Sequence, residues 1–190
     1  MSSHTLLDAP SSWVVRFAPL IPSGEVLDLA CGGGRHARLL ASLRHAVLAL
    51  DRDAVALELA AGKGITTCQF DLEAEGAVWP FEDGRFAGIV VTNYLHRPFF
   101  PHLLRSLAPG GILVYETFAL GNEQFGKPSN PAFLLRPGEL LEAVCANGQD
   151  TTRVIAFEDG YVDAPRPAMV QRICAVKQGA DAGVRRFHLG

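Results

Sequence analysis

The sequence predicts an α/β protein built on a doubly wound, mostly parallel seven-stranded sheet that ends in an antiparallel strand pair. Three observations lead there. Short apolar runs alternate with helix-periodic segments across short connections, the pattern of a parallel sheet whose right-handed crossovers lay helices on both faces. Five of the expected strands run out into glycine or polar residues, at 32–34, Asp51, Asp71, 93–97 and 116–118, and ligands in such sheets bind beyond the carboxyl ends of the strands. The last two apolar runs are joined by a piece with no room for a crossover helix, so they must pair antiparallel.

In order along the chain, residues 11–22 open with Ser11 and close on Pro19 and Pro22, the marks of a short N-terminal helix presenting Trp13 and Phe17. Val26 to Cys31 suits a buried strand, three glycines turn the chain, and Arg35 to Leu43 has the apolar spacing of an amphipathic helix. Ala46 to Leu50 is a second strand ending at Asp51, after which Asp53 can cap a helix over 54–61. A third strand, Ile65 to Phe70, ends at Asp71 and Leu72, and the acidic stretch 73–85 reads as a surface loop. Phe86 to Asn93 makes the fourth strand, and Pro98 suits the first turn of a helix reaching Leu107. Pro109, Gly110 and Gly111 then turn the chain into a fifth strand, Ile112 to Phe118. The Gly/Asn/Pro-rich connection 119–137 is longer than a crossover requires and reads as a candidate substrate lid carrying Asn122, Phe125 and Lys127. A helix over 138–146, strands over 151–157 and 168–176, and a loose tail over 179–190 complete the chain.

Composition bounds the function. A chain of 190 residues, 48% hydrophobic and 19% charged, supports one domain over 1–190 with a substantial core. A net charge of -3 lacks the basic balance that phosphate-backbone binding needs, which favours a small-molecule substrate over nucleic acid. Residues 1–8 carry neither a basic nor an apolar leader segment, and no apolar run is long enough to span a bilayer; the expectation is a cytoplasmic protein with no membrane partner. Cys31, Cys68, Cys145 and Cys174 are scattered, without a CxxC pair or a histidine at ligand spacing, so buried reduced thiols are expected and no metal site.

The glycine turn has two readings. Gly32-x-Gly34-x-x-Ala37 followed by Asp51 satisfies a loose dinucleotide fingerprint, which would make the protein an NAD-dependent oxidoreductase. Asp28 inside the first strand, Asp71 at the end of the third and the closing antiparallel pair favour S-adenosyl-L-methionine instead. A carboxylate at Asp28 suits a zwitterionic amino-acid end, Asp51 can accept from two ribose hydroxyls, and Asp71 can accept from an exocyclic adenine amine.

The ordered motifs resemble those of class I S-adenosylmethionine-dependent methyltransferases, which share a Rossmann-like fold, and within them the small tellurite-resistance-like type. Val26 to Arg35 resembles the first motif, with Ala30 where many members have a glycine; Leu50-Asp51 resembles the ribose-binding motif and Phe70-Asp71-Leu72 the adenine-binding one. Phe86 to Val91 resembles the fourth strand, with Ala87 replacing a common aspartate, and Leu107 to Leu113 resembles the turn into the fifth. The resemblance implies a cofactor site of Asp28, Ala30, Gly32, Gly34, Asp51, Arg52, Asp71, Leu72 and Asn93, and in-line methyl transfer governed by alignment and desolvation. Tyr94, His96, Arg97, Glu116 and Phe118 then stand where an acceptor would bind, with Tyr94 and His96 as candidate catalytic groups. For His96 both a general base and a packed or helix-capping imidazole remain open. The fourth strand end lacks an Asn/Asp-Pro-Pro-aromatic run, which lowers nucleobase and protein-amide acceptors and leaves a small molecule or a metalloid oxyanion. A non-catalytic protein that keeps the cofactor fold is the third alternative.

Overall fold

Seven strands form one sheet: β1 (Glu25–Leu29), β2 (Ala46–Asp51), β3 (Ile65–Gln69), β4 (Phe86–Thr92), β5 (Leu107–Phe118), β6 (Thr152–Val162) and β7 (Ala168–Lys177). Their order is β3-β2-β1-β4-β5-β7-β6. The first five run parallel, and β7 slots antiparallel between β5 and β6. This computed structural model describes residues 9–148, 152–179 and 187. Thr151 and, apart from 179 and 187, the expected tail over 179–190 lie outside them.

The period-two alternation of the strands separates two apolar layers. Leu27, Leu29, Leu48, Leu50, Ile89, Val91, Leu113 and Tyr115 face one way, packed against α4 (Phe100–Ser106) and α5 (Glu139–Gly148) through Leu103, Leu104, Leu140 and Val144. Val26, Val47, Ala49, Val90, Ile112 and Val114 face the other way. There they meet Trp13, Val14 and Phe17 of α1 (Ser12–Phe17), Ala37 and Leu40 of α2 (Arg35–Ser42), and Leu57 and Ala60 of α3 (Ala54–Ala60). The chain leaves β1 toward β2 and β3, then crosses to β4 on the other side of β1. That reversal opens a crevice at the carboxyl ends of β1 and β4, where this class of sheet places its ligands.

Local chemistry fixes the boundaries. Ser11 Oγ accepts from the Trp13 N–H at 3.1 Å and starts α1, while Trp13 stacks edge-on to Phe17 and donates its indole N–H to the Ile173 carbonyl at 3.2 Å. Asp53 caps α3, accepting from the Val55 and Ala56 N–H groups at 2.9 and 3.3 Å.

Several expected elements are adjusted. α1 gives way at Ala18 to a 3-10 turn around Pro19, shorter than the helix expected over 11–22. β1 stops at Leu29 rather than Cys31, because Ala30 turns left-handed at φ 53°. Residues 107–111 join β5 instead of forming a separate turn: Leu107 pairs with Phe86, and the ladder shifts before Ile112 pairs with Gly88. β6 continues to Val162, so the hairpin into β7 is tighter than expected. The stretch 73–85 is not all surface, since Trp79 is buried and donates to Ser106 Oγ at 2.8 Å. Cys31 and Cys174 are buried free thiols, whereas Cys145 is exposed, departing from the expectation that all four are buried. Among the described residues no helix is long and apolar enough to cross a membrane.

Candidate active site

The glycine turn after β1 is held by the acid that ends β2. Asp51 Oδ2 accepts from the Gly32 N–H at 2.8 Å and Oδ1 accepts from the Asp53 N–H at 3.0 Å, while the Cys31 N–H bonds the Leu50 carbonyl. Each carboxylate oxygen keeps a second lone pair for a ligand. The two positive-φ glycines of the turn do different things. A Cβ on Gly32 would meet nothing within 4 Å, so its backbone is open to close approach. A Cβ on Gly34 would lie 2.5 Å from the Cβ of Ala60. Gly34, expected among the cofactor residues, therefore has a packing reason: it lets α2 start against α3.

A cavity of about 200 Å³ opens beside the turn. Ala30, Asp51, Arg52, Asp71, Leu72 and Tyr94, all anticipated from the sequence, line it together with Phe70 and Glu73. Asp71 Oδ1 accepts from the Glu73 N–H at 2.9 Å, so this acid both organises a turn and faces the cavity. Arg52 and Glu73 pair at 3.9 Å on the surface, a contact worth little in water.

Asp28 lies beneath, at 1% exposure in β1. Burial pushes its carboxyl up to about 7, against the lowering effect of the Ala37 N–H, and Oδ2 has no hydrogen-bond partner among the described residues. A buried carboxylate oxygen without a partner costs free energy, so a cationic or hydrogen-bonding ligand group nearby would relieve it. A second buried polar group carried no site signal in the sequence. His36 is 1% exposed; its Nε2 accepts from the Ser11 N–H at 3.0 Å, and Nδ1 lies 3.3 Å from Thr92 Oγ1. Burial, helped by Arg35, lowers this imidazole to about 3 and keeps it neutral. The only sequence signal was a polar residue at a core-facing position of α2.

Two further cavities continue along the strand ends. One, about 270 Å³, shares Arg52, Glu73 and Tyr94 with the first and adds Asn93, Phe118, Pro128 and Phe133. The other, also about 270 Å³, takes Asn93, Glu116 and Phe118 across to the tip of the β6–β7 hairpin. Asn93 links them, held left-handed at φ 55° with its N–H on the Glu116 carbonyl. Glu116 pairs with Arg172 at 2.5 Å, and Arg172 with Glu158 at 3.4 Å. Arg172 and Arg166, which stacks over the Phe118 ring, were not anticipated, because they come from the last two strands and their turn.

The expected acceptor residues divide. Tyr94 faces the first two cavities, and burial raises its hydroxyl, so it stays protonated. His96 lines none of the three cavities; its ring packs 4.7 Å from Phe99. Arg97, expected to meet substrate, is consumed elsewhere. Its guanidinium donates to Glu139 at 2.6 and 3.1 Å and to the carbonyls of Ala132 and Leu134 at 2.7 and 2.9 Å. It ties the end of the connection 119–137 to the fourth strand end. Asn122, near the start of that connection, is likewise internal: it donates to the Pro128 carbonyl and accepts from the Met169 N–H.

Comparison with known proteins fits this geometry. Residues 26–111 match the model of a methyltransferase domain family. A protein-L-isoaspartate O-methyltransferase of Chlorobaculum tepidum is 38% identical over 109 residues, 55% of this chain and 49% of that one. The chain thus spans about half the length of that curated relative. Among solved structures, an S-adenosylmethionine-dependent methyltransferase from Mesorhizobium loti superposes with a TM-score of 0.68 at 19% identity, covering 90% of this chain and 100% of that one. TehB from Haemophilus influenzae gives 0.68 at 19% identity over 89% and 63%. At these identities the two structures speak to the fold.

Proposed function

We propose that this chain, whose residues 26–111 match a methyltransferase domain family, is a class I S-adenosylmethionine-dependent methyltransferase and that it methylates a small molecule or a metalloid oxyanion in the cytoplasm by in-line transfer. The observation that carries the reading is the bond from the Gly32 N–H to Asp51 Oδ2 at 2.8 Å. In a dinucleotide site the amides of the glycine turn face a pyrophosphate. Here a carboxylate has taken that donor, and Asp28 and Asp51 make the turn acidic, which suits a sulfonium cofactor and a ribose.

The residues fit S-adenosyl-L-methionine. Gly32 leaves open space, Asp28 offers an unpartnered oxygen, and Asp51 and Asp71 offer acceptors along one cavity. Asp51 would hold the ribose hydroxyls, Asp71 and Leu72 the adenine, and Asp28 with Ala30, Gly32 and Asn93 the amino-acid end. When bound, the cofactor supplies an electrophilic methyl group whose sulfur departs as a neutral thioether.

The protein's own share is alignment and exclusion of water. Tyr94, at the junction of two cavities and kept protonated, donates a hydrogen bond and does not act as a base. His96, packed at a tilt against Phe99 and stacked on the Tyr94 ring, supports the loop that carries Tyr94. An acceptor that arrives with a free lone pair needs no base from the chain. The connection 119–137 walls the acceptor side through Pro128 and Phe133 and serves as a lid hinged between Asn122 and the Arg97 clamp. Calorimetric titration with S-adenosylhomocysteine tests the reading: binding is expected, and a preference for NADH would overturn it.

A further inference from the structure

The cavity at the hairpin tip has an uneven lining. Phe118, Val162, Pro165 and Val170 make much of its wall apolar, and its charged groups are mainly arginines. Of these, Arg172 is already neutralised by Glu116 at 2.5 Å, both side chains being nearly buried. Arg166 is not: it is exposed in the turn between β6 and β7, and among the described residues no carboxylate lies within ion-pair range of it. Its guanidinium sits 5.7 Å from the centroid of the Phe118 ring. Stacking uses the face of a guanidinium and leaves its in-plane N–H donors for a planar anion.

The volume, about 270 Å³, falls just below the roughly 300–1,000 Å³ typical of drug-sized ligand sites, so the occupant is small. A bare, strongly hydrated oxyanion would gain nothing from the apolar wall, and a neutral apolar molecule nothing from the arginine. A small organic acid with an apolar body uses both. Resting on the methyltransferase reading, we infer that this cavity receives the methyl acceptor, that the acceptor is a small organic acid, and that Arg166 recognises its carboxylate. Asn93 joins the cavity to the one that shares Arg52, Glu73 and Tyr94 with the proposed adenosine site, so the acceptor lies beside the cofactor.

The test uses the full-length protein saturated with S-adenosylhomocysteine, titrated calorimetrically with benzoate, phenylacetate and 3-phenylpropionate, each against its neutral amide. At least one acid is expected to bind tenfold or more tighter than its amide, with Arg166→Gln losing that preference and Arg166→Lys regaining part of it. Equal binding of acid and amide, binding of no acid, an unchanged Arg166→Gln variant, or selenite matching the acids would overturn the inference. So would competition between the acid and S-adenosylhomocysteine, which would assign the cations to the cofactor's own carboxylate. Failure of S-adenosylhomocysteine itself to bind would instead sink the underlying reading, so the two failures are distinguishable.

Discussion

Asp51 ends one strand and holds the turn that follows another: its Oδ2 lies 2.8 Å from the backbone nitrogen of Gly32, nineteen residues away in sequence. The acid is thus part of the turn's scaffold before any ligand arrives.

Asp51→Ala should therefore act twice. It removes the partner of the Gly32 N–H and the acceptor proposed for two ribose hydroxyls. Hydrogen bonds to charged groups contribute about 1.5–3 kcal/mol, so affinity for S-adenosylhomocysteine should fall by about tenfold to a hundredfold or more. Calorimetry reads this directly. An affinity within about twofold of the wild type would remove Asp51 from the site.

The two left-handed glycines of the turn should separate stability from binding. Gly34→Ala drives a Cβ into Ala60 and should cost about 2–4 kcal/mol of stability through overpacking and backbone strain. Gly32→Ala meets open space and should cost only about 1–2 kcal/mol from its left-handed φ, yet weaken cofactor binding. Urea denaturation beside calorimetry on both variants checks the contrast; equal stabilities would contradict the packing assignment of Gly34.

Asp28 should make binding proton-linked. With its carboxyl near 7 in the free protein, a bound sulfonium or ammonium group favours the ionised form. At pH 7 about half a proton should be released per cofactor bound, visible as a binding enthalpy that changes with the ionisation enthalpy of the buffer. The sign for folding follows from the raised value. The contribution of Asp28 to stability is present below its ordinary value of 3.8 and is lost as pH rises through about 7. His36, lowered from 6.5 to about 3, works oppositely: its contribution is present above 6.5 and lost as pH falls toward 3. Asp28→Asn should thus stabilise the free protein at pH 8 while weakening cofactor binding, a combination that thermal melts and titrations together would reveal or refute.

Arg97 should prove structural and not substrate-binding. Burial pushes Glu139 up, but the hydrogen bonds from Arg97 and Arg136 outweigh it and hold the carboxyl at about 2. Arg97→Ala leaves Glu139 with Arg136 as its remaining donor and strips two carbonyls of theirs; discounted for the partial exposure of Arg97, the cost is about 2 kcal/mol. Hydrogen exchange should quicken at Leu134 and Leu135, whose amides bond to the Pro131 and Phe118 carbonyls. Unchanged exchange there would reject the clamp.

Most of the sheet was legible in the sequence, because apolar runs such as 46–50 and 86–91 read the same whatever packs on them. Ala30, Asp51, Asp71 and Leu72, which line the cavity beside the glycine turn, were legible too, since each follows directly from a strand end. What escaped depended on contacts between distant segments. Trp79 belongs to an acidic stretch that reads as a loop, yet Ser106 accepts its indole N–H, and nothing local singles out His36, which Ser11 and Thr92 close around.

The sequence by itself determined a doubly wound sheet closing in an antiparallel pair, and which strand ends carry Ala30, Asp51, Asp71, Leu72 and Tyr94 to one edge, because strand period and turn chemistry are local. Only the tertiary structure decided that Gly34 serves helix packing, that Arg97 clamps a connection, and that Arg166 lies over Phe118 at the cavity by the hairpin tip. Those roles depend on which side chain, from a segment dozens of residues away, uses up a donor or fills a space, and no local pattern encodes that.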